Sequence, residues 1–90
     1  MAKLITYDLD NPGQNYKSLI NAIQQYPSWT KITESCWLVS SQNDAGTIKS
    51  NLSKYVDAND RLMVADLKGQ VSWKNTFTPD TELKSFIENK

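Results

Sequence analysis

An α+β sandwich, one antiparallel sheet with both helices on the same face, is predicted by three features of this 90-residue sequence. Strand-like and helix-like segments follow in the order β-α-β-β-α-β. Two stripes, Tyr16/Leu19/Ile20/Ile23 and Ile48/Leu52/Tyr55/Val56, have helical spacing. The run Arg61 to Leu67 places apolar residues on both of its alternating faces. The pattern is that of a ferredoxin-like sandwich, here with an extra C-terminal strand and a terminal helix. It forms a single domain over residues 1–90, with a core at about 3–75 and a helical tail at about 78–90. No internal repeat, low-complexity tract or long linker divides it.

Each element has a local reason. Lys3 to Leu9 mixes β-branched and aromatic residues and closes on the turn cluster Asp10-Asn11-Pro12-Gly13, so it reads as the first strand. Asn15 can cap the first helix, and Pro27 stops it after Tyr26. Trp29 to Ser40 returns to a strand pattern that Glu34 and Ser35 interrupt, which divides it into Trp29 to Thr33 and Cys36 to Ser40. Asn43 or Asp44 caps the second helix, which ends at Asp57-Ala58-Asn59-Asp60. Its lysines Lys49 and Lys54 belong to the solvated side. Arg61 to Leu67 is the next strand, and Lys68-Gly69 turns the chain into a short last strand, Gln70 to Asn75. Thr78, Pro79 and the acidic pair Asp80 and Glu82 then open a terminal helix with Leu83, Phe86 and Ile87 inward.

The two-sided strands have a consequence for assembly. Leu62 and Val64 lie on one face of their strand, Met63, Ala65 and Leu67 on the other, and Leu4 to Leu9 and Cys36 to Val39 behave similarly. Two helices cover only one side of such a sheet, so the other side needs a cover. A homodimer, sheet against sheet, is the simplest one.

Composition excludes several chemistries. The sequence contains no His, which removes His-dependent nucleophile systems, the histidine general base and most zinc sites. A lone Cys36 makes neither an internal disulfide nor a multi-cysteine metal site and suits a reducing cytoplasm. No apolar run approaches the roughly 20 residues of a membrane helix, and the N-terminal residues enter a strand pattern directly, so a cytoplasmic protein with no membrane association is expected. Ten basic residues balance ten acidic ones, and Arg61 is the only arginine, which argues against a strongly basic nucleic-acid coat.

The remaining chemistry rests on carboxylates. Asp8 stands near the end of the first strand and Asp10 two positions later, so both project to one side if the extended chain continues. Two carboxylates there suit Mg²⁺ and leave water positions for a phosphate substrate. The same residues also serve as ordinary turn chemistry, with Asp8 accepting hydrogen bonds from the adjacent helix N-terminus. Asp66 lies near another strand end, either toward a partner or paired with a lysine. Ser35 is suited to binding a phosphate or shaping a turn, and without a base it is a poor nucleophile. Trp29, Trp37, Trp73 and Tyr7 suit either base stacking or packing in a core or dimer interface.

Leu4-Ile5-Thr6-Tyr7-Asp8-Leu9, the helix after it, Thr33-Glu34-Ser35-Cys36-Trp37-Leu38-Val39 and Asn59-Asp60-Arg61-Leu62-Met63-Val64 together resemble a known superfamily. The chain resembles the SinR-like proteins, small relatives of the second CRISPR-associated (Cas) adaptation protein and of the virulence-associated D ribonucleases. The resemblance runs from residue 3 to about 75, with Tyr7-Asp8 as its most telling motif. It implies a ferredoxin-like homodimer in which Gln70 to Asn75 pairs with the partner's sheet. In some relatives Mg²⁺ held by paired aspartates from both subunits cleaves RNA or DNA, and by position that aspartate is Asp8. Ser35 matches a serine that commonly precedes a Val-Phe strand, here Cys36-Trp37. Other relatives are structural dimers supporting a larger integrase. The nucleic-acid-binding arginines of the adaptation proteins are largely missing here, and the tail after Phe77 has no counterpart in the family core.

Two functions follow as expectations. One is a cytoplasmic homodimer that engages nucleic acid as a Mg²⁺-dependent endoribonuclease, with Asp8 as metal ligand and catalytic residue and Asp10 and Ser35 as secondary candidates. The alternative is a catalytically silent dimeric interaction or scaffold module with another protein as target.

Overall fold

A computed structural model describes residues 2–10 and 16–88 of the chain. Four strands, β1 (Ala2–Asp8), β2 (Ser28–Thr33), β3 (Cys36–Ser40) and β4 (Arg61–Asp66), alternate with the helices α1 (Lys17–Ile23) and α2 (Ala45–Leu52), and α3 (Asp80–Glu88) follows. The sheet order is β2-β3-β1-β4, with every neighbouring pair antiparallel. The fold is ferredoxin-like α+β.

Strand register sorts the side chains. Ile5 stands opposite Trp37 on one side and Val64 on the other, so these residues share a face. That face packs against the helices: Ile5, Trp37 and Val39 form one buried cluster with Leu19 and Ile23 of α1 and Ile48 and Leu52 of α2. Removing these apolar surfaces from water is the main stabilising contribution. Lys3 is also on this face, opposite Asp66, and its buried amine donates to the Asp66 carboxylate at 3.0 Å. Lys68 adds a longer contact of 3.8 Å to the same carboxylate. Asp66 is therefore a lysine-paired residue on the helix side, and Lys3 holds its carboxyl below the usual range.

Local chemistry sets the helix boundaries. The Asp44 carboxylate caps α2 by accepting the Thr47 backbone N–H at 2.7 Å, which lowers its pKa. At the other end the Ser53 hydroxyl donates to the Lys49 carbonyl at 2.7 Å and the chain tightens into a 3-10 turn, Ser53–Tyr55. The apolar stripe expected through Tyr55 breaks there. Tyr55 is exposed, while Val56 still packs on the core. The expected cap Asn15 and the turn residues Asn11-Pro12-Gly13 lie outside the described residues.

The segment Gln70 to Asn75, expected as a strand, is not one. The chain leaves β4 at one edge of the sheet, where the Leu67 N–H donates to the Ala2 carbonyl, and reappears at the opposite edge, where the Phe77 N–H donates to the Ile32 carbonyl at 2.9 Å. Residues between those points must cross the sheet rather than lie along a strand, so no continuous ladder is open to them. Gly69, with φ of 76°, makes the first turn of this crossing, and Asn75, with φ of 55°, turns the chain at its far end.

The crossing delivers the tail to the sheet face opposite α1 and α2. Thr30 pairs with Leu38, and Leu38 with Leu4, on that second face. There the Thr30 and Thr78 hydroxyls share a buried hydrogen bond of 2.6 Å, and Thr78 also donates to the Lys31 carbonyl at 2.8 Å. Phe86 and Ser85 of α3 lie beside Ala2, Ser28 and Ser40, and Leu83 is fully buried. The chain's own tail thus covers the β2 and β3 side of a face expected to meet a partner. The β4 side stays open: Met63 is 62% exposed.

Candidate functional site

Asp8 is the last residue of β1 and stands opposite Arg61, the first residue of β4. By strand alternation it shares the second face with Thr6, Leu4 and Met63. Arg61 donates to the Asp8 carboxylate at 3.2 Å, and both side chains are about three-quarters exposed. The pair sits on the rim of an open depression of about 190 Å³ lined also by Thr6, Tyr7, Leu62 and Met63. The lone arginine of the sequence is thus the neighbour of the leading aspartate, a juxtaposition visible only once β1 and β4 are aligned.

Asp10 does not continue the alternation. Regular strand ends at Asp8, and Asp10 lies in a bend where its backbone N–H donates to the Asp60 carboxylate at 2.7 Å. Asp60 was read from sequence as a helix stop and as part of the Asn59 to Val64 segment, yet it organises this end of the fold. One oxygen accepts from Asp10 and, at 3.3 Å, from the Tyr16 hydroxyl; the other accepts the Asp57 N–H at 2.7 Å. The hydrogen bond from Asp10 is the main reason its pKa is depressed. Asp60 therefore clamps the segment after β1 to the loop before β4 and fixes the chain around Asp8.

Ser35 lies in the two-residue turn between β2 and β3, where its carbonyl accepts the Tyr7 N–H at 3.1 Å. This places the turn beside the residue preceding Asp8. Cys36 is a free, half-buried thiol whose pKa is raised by burial. Trp37 is buried and donates its indole N–H to the Tyr7 hydroxyl at 3.1 Å, so both are packing residues. Trp73 donates to Asp80 at 3.1 Å and ties the crossing segment to the start of α3.

Among the described residues one chain does not complete a metal site. Among the described residues no group of three or more Asp, Glu or Cys side chains is placed to hold an ion, and the Asp8 carboxylate faces a guanidinium. A single copy supplies one carboxylate at this position, which does not fit Mg²⁺ by itself. Among the described residues no helix is long and apolar enough to cross a membrane.

No family model matches the chain. No curated protein matches it. Among solved structures, the chain is similar to a hypothetical protein, TT1823, from Thermus thermophilus, with a TM-score of 0.64 and 17% sequence identity over 88% of this chain and 96% of that one. At that identity the likeness is one of fold.

Proposed function

We propose that the protein engages nucleic acid as a homodimer and cleaves RNA, with Asp8 of each copy facing the other across the open part of the second sheet face. The observation carrying this reading is the position of Asp8. It is exposed at a strand end, beside a strip containing Met63 that the chain's own tail leaves bare. Pairing two such strips about a twofold axis that passes beside Asp8 brings the two carboxylates together, because positions next to such an axis meet their own copy. Two Asp8 carboxylates, with Asp10 and Ser35 near the same sheet end, then offer the oxygen donors that one chain lacks. Mg²⁺ bound by them would supply an activated water and charge stabilisation at a phosphate. Arg61, which pairs with Asp8, would have its charge available to a phosphate if Asp8 held the metal. The free Cys36 suits a reducing compartment such as the cytoplasm.

A second reading is favoured by the Asp8–Arg61 pair itself. An aspartate already satisfied by a guanidinium, in a chain of zero net charge, fits a dimeric scaffold whose target is another protein. The deciding experiment is cleavage of labelled single-stranded RNA and double-stranded DNA, with Mg²⁺ or chelator, by wild type and Asp8→Asn. Cleavage of RNA that needs both Mg²⁺ and Asp8 supports the nuclease. A folded dimer that cuts neither substrate supports the scaffold.

A further inference from the structure

We propose that Trp29, Lys31 and Phe77 form a stacking platform for single-stranded nucleic acid along the β2 edge of the sheet, distinct from Asp8. The inference extends the nucleic-acid reading without resting on cleavage at Asp8.

Three observations carry it. First, the two aromatic side chains are open to solvent although their backbones are fixed: Trp29 is 43% exposed and Phe77 63%. Trp29 pairs with Val39 across the ladder, and its ring lies 5.7 Å from that of Trp37 at an interplanar angle of 59°. Trp37 is itself held by the Tyr7 hydroxyl, so Trp29 rests on a rigid support. Phe77 is anchored by its N–H to the Ile32 carbonyl, and the next residue, Thr78, by its hydroxyl to the Lys31 carbonyl.

Second, a cation lies among the rings. The Lys31 amine is 5.8 Å from the centre of the Trp37 ring and 6.0 Å from that of Phe77. Cation–π contact orients an amine without neutralising it. Among the described residues the ion pairs use Lys3, Arg61 and Lys68, and none occupies Lys31. Its charge therefore remains available to a ligand anion.

Third, the combination matches one class of ligand. Unpaired nucleotides present a flat π face and a phosphate at every unit, and proteins bind them with aromatic platforms beside basic groups. A duplex hides its base faces. An aliphatic protein surface would gain from the rings but nothing from an unneutralised amine. Phe77 lies near the β2–β3 turn through its bond to Ile32, while Trp29 lies toward the other end of β2, opposite Val39, so the platform runs along the edge strand.

The test is binding of a fluorescently labelled short oligouridine, oligothymidine or abasic oligonucleotide, followed by anisotropy over a range of salt. Trp29→Leu and Phe77→Leu keep apolar bulk and remove the π face. Each is expected to weaken binding of the base-bearing strands about five-fold or more, and Trp29→Phe to restore most of it. Lys31→Gln is expected to lower the salt slope by about 0.7, the value of one neutralised phosphate on a single strand. The abasic strand is expected to bind weakly and equally to wild type and both leucine variants. RNA and DNA arms separate ribose-dependent from ribose-independent recognition, either being a single strand on the platform. Folded leucine variants that bind like wild type overturn the platform, as does an abasic strand that binds as well as oligouridine. So does capture of a protein partner that Trp29→Leu abolishes while no oligonucleotide binds. Binding sensitive to Trp29 and Phe77 in a protein that cuts nothing upholds the platform and removes the nuclease reading; cleavage insensitive to both does the reverse.

Discussion

The hydroxyls of Thr30 and Thr78, 48 positions apart, share a hydrogen bond of 2.6 Å inside the layer between the C-terminal tail and the second face of the sheet. This contact turns a chain end into a structural layer. Thr78 spans two groups, the Thr30 hydroxyl and the Lys31 carbonyl, just before α3 begins. Thr78→Val keeps the shape and leaves buried polar partners unmatched, so it is expected to cost about 1–3 kcal/mol. Leu83→Ala empties the apolar contact in the same layer and is expected to cost about 2–5 kcal/mol. Urea denaturation measures both, and values within experimental error of wild type would show the tail to be undocked in solution.

Acid stability follows from three carboxylates. Asp44, Asp60 and Asp66 have folded pKa values below the ordinary one, chiefly through the hydrogen bonds from the Thr47 N–H, the Asp10 N–H and the Lys3 amine respectively. The unfolded chain binds protons at these groups more readily than the folded one. Their stabilisation is therefore complete above the ordinary carboxylate pKa of about 4 and is lost as pH falls through the depressed folded values. Melting temperature is expected to be level near neutrality and to drop below about pH 4. Asp60→Asn should shallow that drop, and an unchanged slope would contradict the role given to Asp60. Asp66→Ala leaves the buried Lys3 amine without its main partner and is expected to be the most destabilising carboxylate substitution of the three.

Cys36 gives a chemical probe of the second face. Burial raises its pKa, so alkylation by iodoacetamide is expected to be slower in the folded protein than in urea. Equal rates in the two conditions would mean that the thiol is open to solvent.

Gly69 tests the crossing. Its φ of 76° suits glycine, and a Cβ there would meet no neighbour within 4 Å. The cost of Gly69→Ala is thus backbone strain alone, about 1–2 kcal/mol, again read by denaturation. A stabilising effect would place residue 69 outside the left-handed region.

The helix-side half of the molecule was legible from spacing. Leu19, Ile23, Ile48 and Leu52 fall at helical intervals and are buried where those intervals put them. Cys36 to Ser40 was readable, and so was a cap at Asn43 or Asp44, of which the structure uses Asp44. The path of residues 67–77 was not. Short polar and aromatic residues around Trp73 fit a strand locally, and only the positions of the two sheet edges force a crossing. Asp8 was visible as a strand-end carboxylate, but its partner Arg61 lies 53 positions away and needs the β1–β4 register. The exposure of Trp29 and Phe77 was hidden for a related reason: sequence marks an aromatic residue, while the place of β2 at the sheet edge and the path of the tail decide which ring faces water.

The paired-Asp8 site is tested most directly by mixing wild type with Asp8→Asn, allowing subunits to exchange, and measuring Mg²⁺-dependent RNA cleavage as the mixing ratio changes. If each site needs an Asp8 from both copies, activity follows the square of the wild-type fraction, and an equal mixture retains about one quarter of the wild-type rate. Activity falling in proportion to the wild-type fraction, to about one half in that mixture, would show that one chain suffices and would contradict the shared site.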